Sequence, residues 1–152
     1  MPLVRKRPTG RTTRSTVEAY HFQPLRNRKK VVRLNALVPD NETASNPRYV
    51  DVEERLNIPC HVKVHDCRVV IGADMYLVTG YWYRHSDINQ SIMATTGLTW
   101  RGELIVIRAG RYIPYLKRVN CSRLADVAVM RFIHKYKLCS DLKKRFPTMI
   151  VV

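Results

Sequence analysis

Arg123–Cys139 reads RLADVAVMRFIHKYKLC, and Ala125, Val129, Phe132, Tyr136 and Cys139 step along it by four and three. That spacing gathers the five residues on one side of an α-helix, the pattern of a helix laid on a sheet. Ser122 stands where an N-cap belongs. Asp141–Phe146 reads as a second short helix ahead of Pro147, and 148–152 (TMIVV) as a terminal strand.

The sheet is written upstream. VVRLNALV (31–38), MYLVTGYWY (75–83), ELIVIRA (103–109) and YIPYLKRV (112–119) are rich in β-branched and aromatic residues, and each reads as a strand. The last two form a hairpin at Gly110-Arg111, with Pro114 placing the second at a sheet edge. Ile58–Asp66 alternates apolar and polar residues and reads as a further strand. Val50–Leu56 fits a short helix or a strand equally well. Ser86 is positioned to cap a short helix carrying Ile88 and Ile92 on one face. The expected fold is α+β: a mostly antiparallel sheet with a long C-terminal helix packed on one face, preceded by a disordered basic N-terminal arm.

Charge defines that arm. The 152 residues carry 27 Lys and Arg against 12 Asp and Glu, a net charge of +15. Residues 1–30 hold nine of the cations and only Glu18 as an acid, or +8, and the remaining 122 residues hold +7. The first segment also contains Pro2, Pro8, Gly10 and Pro24 and shows no apolar periodicity. It is therefore expected to stay disordered, with 31–152 as one domain and Tyr20 and Phe22 pinning the arm to it. No apolar run follows the basic start, and none reaches about 18 residues, so neither a signal peptide nor a membrane-spanning helix is expected. An intracellular and nuclear location follows from the basic runs and the lack of an export signal. The N-x-S/T triplets at Asn41, Asn89 and Asn120 carry no meaning there.

IPCHVKVHDC (58–67) sets two histidines and two cysteines within eight residues. As a strand it points Cys60, Val62, Val64 and Asp66 one way and His61, Lys63, His65 and Cys67 the other. His61 and His65 then lie roughly 13 Å apart, too far to share one ion, and Lys63 repels a cation. The cluster is read as structural, with Cys60 pointing inward. No metal and no cofactor is expected. His65 and Cys67 also suggest a base and a nucleophile, but none of the usual catalytic loops accompanies them.

The sequence thus predicts a non-enzymatic nucleic-acid-binding protein that grips phosphates. Its expected contacts are Arg5, Lys6, Arg7, Arg11, Arg14, Arg28, Lys29 and Lys30 in the arm, and Arg131 and Lys135 on the long helix. Trp82 and Arg84 continue the 75–83 strand and, with Tyr76, offer an aromatic row for unpaired bases. DNA and RNA fit this equally. Two other readings fit as well: a self-assembling homo-oligomer, such as a viral coat protein packaging nucleic acid, and a protein-interaction module whose arm is only a nuclear localisation signal.

Overall fold

The computed structural model describes residues 12–39, 49–109 and 122–145. Its core is a six-stranded antiparallel sheet formed by β1 (Thr12–Phe22), β2 (Lys30–Pro39), β3 (Tyr49–Val50), β4 (His65–Ile71), β5 (Asp74–Gly80) and β6 (Leu104–Ala109), in the order β3-β2-β1-β6-β5-β4. Two helices, α1 (Gln90–Thr96) and α2 (Ser122–Arg145), complete the α+β fold. Among the described residues no helix is long and apolar enough to cross a membrane.

Residues 12–22, expected in the disordered arm, instead form β1, an interior strand. The reason is local. Six of its eleven residues are β-branched or aromatic, and Val17 and Ala19 are wholly buried opposite Leu34 and Val32 of β2. Those contacts offset an entropy cost that the polar residues alone could not. Phe22, at the end of the strand, is also fully buried. Residues 1–11 lie outside the described part.

Alternation along the strands builds two cores. Val17, Ala19, Leu34, Leu77, Ile105 and Ile107 face one way and are covered by Val50, Val52 and Leu56. Phe22, Tyr76, Val78, Leu104 and Val106 face the other and meet Ile92 of α1 and Ala125, Ala128, Val129, Phe132 and Ile133 of α2. The central strands are therefore buried on both faces. This overturns the expected aromatic row, because Tyr76 lies in the second core and β5 ends at Gly80, before Trp82 and Arg84. Gly80 is required where it stands, since a Cβ there would come within 2.0 Å of the Glu103 carbonyl.

Other boundaries move for identifiable reasons. The expected strand 58–66 forms only from His65 onward. Pro59 has no N–H for a ladder, its carbonyl accepts from Val62 N–H at 3.2 Å, and His61 takes φ 65° in the left-handed region. Cys60, expected inside, is exposed on that turn. Val50–Leu56 divides between the end of β3 and a 3-10 turn at Glu53–Arg55. Asn89, not Ser86, caps α1: its Oδ1 accepts from Ile92 N–H at 3.1 Å, and its Nδ2 donates to the Phe22 and Gly102 carbonyls. The long helix continues unbroken to Arg145, absorbing most of the expected second helix. The hairpin partner at 112–119 and the strand at 148–152 lie outside the described residues.

Candidate functional site

A cleft of about 450 Å³ opens between β4 and the second half of α2. Edge strand β4 contributes His65 and Cys67, the preceding turn contributes Lys63, and α2 contributes Phe132, Lys135, Tyr136, Cys139 and Lys143. Helical spacing explains the second set. Phe132, Tyr136 and Cys139 lie on the face turned to the sheet, whereas Lys135 and Lys143 flank it and reach solvent. Inside, His65 meets Tyr136 edge-on at 5.1 Å, and Tyr136 meets the buried Trp100 edge-on at 5.0 Å. The cleft thus has an aromatic floor and a cationic rim of Lys63, Lys135 and Lys143, while the carboxylate of Asp66, at its border on β4, accepts from Thr79 Oγ1 at 2.7 Å.

The electrostatics follow from this arrangement. Burial lowers the His65 pKa below its ordinary value, the Lys63 and Lys143 ammonium groups lower it further, and Asp66 opposes them. Burial raises the Cys67 pKa, with Cys139 and Asp66 adding to the rise and Lys135 acting against it. Cys67 is thus held as a thiol, the opposite of an activated nucleophile. Among the described residues no group of three or more His, Cys, Asp or Glu side chains is placed to hold a metal ion.

The residues singled out from sequence separate into groups. Lys135 stands on the cleft rim. Arg131 instead donates to the Val70 carbonyl at 2.9 Å, tying α2 to β4. Lys29 is drawn inward, with Nζ 2.8 Å from Asp126 Oδ1 and lying over the Tyr20 and Phe22 rings, so it closes the hairpin against α2. That pairing removes it from the expected phosphate contacts. Arg28 and Lys30 flank it and are exposed. They lie beside Lys29, whose partner Asp126 stands nine residues, or about 14 Å along the helix, before the first rim lysine of α2, Lys135. Arg14 is a β1 residue paired with Leu37. Trp82 and Arg84 are exposed, and Arg84 Nε donates to His85 Nε2 at 3.0 Å. Arg5, Lys6, Arg7 and Arg11 lie outside the described residues.

One polar cluster escaped the sequence reading. Glu103 is only 2 % exposed, yet its carboxylate takes three donors: His21 Nε2 at 2.9 Å on one oxygen, and Tyr81 Oη and the Asn57 N–H, each at 2.8 Å, on the other. Burial alone pushes the Glu103 pKa up, but the hydrogen bonds from His21, Tyr81 and Asn57 outweigh it and hold the carboxyl below its usual range. The Tyr81 phenol is pushed far above its ordinary value by burial and by this carboxylate. With every donor coming from the protein, Glu103 serves as a clasp joining β1, the segment that follows the 3-10 turn, the end of β5 and the start of β6. Its partners lie 82, 46 and 22 residues away, a separation that no local motif records. The only signal in the sequence is an acid directly ahead of the apolar run LIVI.

No protein-family model, curated protein or solved structure matches this chain.

Proposed function

We propose that this protein binds nucleic acid without catalysing a reaction on it, holding phosphates on a basic surface centred on the β4–α2 cleft. The observation that carries this reading is the convergence of Lys63, Lys135 and Lys143 on one cleft from two separate elements. Three ammonium groups on the rim of one cleft form a local field that attracts a polyanion. The net charge of +15 extends that field over the molecule, and residues 1–11 add Arg5, Lys6, Arg7 and Arg11 with no acid. Such contacts supply affinity and orientation rather than base specificity.

Fluorescence anisotropy with labelled DNA and RNA across a salt series tests the reading. The logarithm of the binding constant should fall linearly with the logarithm of salt, by about 0.9 per neutralised phosphate on duplex DNA and about 0.7 on single strands. Salt-independent binding, or none, would remove it.

A further inference from the structure

We infer that the β4–α2 cleft takes single-stranded nucleic acid, seating one unpaired base on its aromatic floor while the flanking phosphates meet the lysine rim. This rests on the phosphate-binding reading above and adds to it the form of the strand. Lysines alone accept any polyanion, so the rim does not discriminate. The floor does. His65, Tyr136 and Phe132 line a recess of about 450 Å³ behind the lysines, inside the 300–1,000 Å³ span of sites that enclose small ligands. A flat apolar ring beside a charged group is the chemistry such a recess fits, and a nucleotide carries both on adjacent atoms. The His65–Tyr136–Trp100 ladder holds the floor in place, because each ring meets the next edge-on at 5.0 to 5.1 Å. In a duplex the bases are paired and stacked away from the phosphates, so a recess lying behind phosphate-binding lysines is closed to them. An unpaired base can turn in, as bases do on the aromatic platforms of single-strand binders.

The cleft contains its own reporters. Cys67 and Cys139 line it, whereas Cys60 is exposed and lies outside. The full-length protein is treated with iodoacetamide, and modification of each cysteine is followed by mass spectrometry. The treatment is repeated with a 15-nucleotide single strand, with the same strand in duplex, and with thymidine monophosphate, while anisotropy records occupancy. The expected result is slower modification of Cys139 under the single strand, an unchanged Cys60, and an affinity for single strand over duplex of about fivefold or more at matched salt. Binding that leaves Cys139 as reactive as before, or that protects it equally in duplex, overturns the base-seating inference and leaves the phosphate reading standing. Protection by thymidine monophosphate at the same concentration as by the oligomer also overturns it, in favour of a free nucleotide. If neither strand binds, both readings fall together.

Discussion

His21 and Glu103 stand 82 residues apart in the chain and meet in the interior, with Nε2 2.9 Å from Oε1. Around that pair the fold closes, because the same carboxylate also receives Tyr81 and the Asn57 backbone. A buried anion is tolerated only when its lone pairs are taken up, and here three donors do so.

Glu103→Gln therefore tests the clasp. The amide removes the negative charge, keeps one acceptor oxygen and replaces the other with a donor, so the charge-assisted bonds from Tyr81 and the Asn57 N–H weaken and His21 must change tautomer to keep a partner. We expect a loss of about 3 kcal/mol, read as a lower urea midpoint at unchanged slope.

The same carboxylate sets an acid limit. Its folded pKa lies below the ordinary carboxylate value of 4.5. As pH falls, the unfolded chain therefore takes up this proton first, and the stabilisation is complete above 4.5 and drains away below it. Tyr81 has the opposite sign: its pKa is raised from 10, so its contribution is full below pH 10 and declines above. Urea titrations from pH 3 to 6 should show a falling acid limb in the native protein and a flatter one in Glu103→Gln.

His65 offers a reading of the cleft in solution. Its imidazole should titrate below 6.5 in the free protein, because burial and the neighbouring lysines disfavour the cation. A polyanion settling on those lysines should move that titration upward. Proton NMR of the His65 ring, with and without oligonucleotide, checks both; an unmoved titration at full occupancy places the ligand elsewhere.

Lys63→Gln, Lys135→Gln and Lys143→Gln should each weaken nucleic-acid binding and reduce the salt slope by about 0.7 on single strands. Lys29→Gln should behave differently. It loses the contact to Asp126 and lowers stability, with little change in the slope. Equal slopes in all four variants would show that the cleft is not where phosphates bind.

Truncation locates the edge of the folded unit. Removing residues 1–11, with Arg5, Lys6, Arg7 and Arg11, should weaken polyanion binding and reduce its salt slope. Removing residues 1–30 takes away β1 and with it both neighbours' partners in the ladder, so cooperative unfolding should disappear.

The strands β2, β5 and β6 and the helix α2 were legible because their apolar spacing is strong enough to read without context. β1 was not. One of its faces offers only Val17, Ala19 and the polar His21, the other only Tyr20 and Phe22 at its end, and the surrounding Arg and Thr residues make the segment resemble a solvated tail. Pairing with β2 and β6 supplies the burial that composition concealed. Half of the cleft was legible in the same limited sense. Lys135 was visible as charge, whereas its meeting with Lys63 and Lys143 depends on the sheet bringing β4 beneath α2. The clasp depends wholly on register, which no single segment specifies.

The placement of β1 also fixes an order of events during synthesis. β1 and β2 are synthesised before the other strands of the sheet, but the other neighbour of β1, β6, begins 82 residues after Phe22. At typical elongation rates that interval lasts about 4 to 16 s. For those seconds a β1–β2 hairpin has an open strand edge and no cover over Val17, Ala19 and Leu34, and Lys29 has not yet met Asp126. The nascent hairpin is thus the part of this chain most exposed to mispairing or chaperone capture, and codon changes that slow translation between residues 23 and 103 should lower the yield of folded protein.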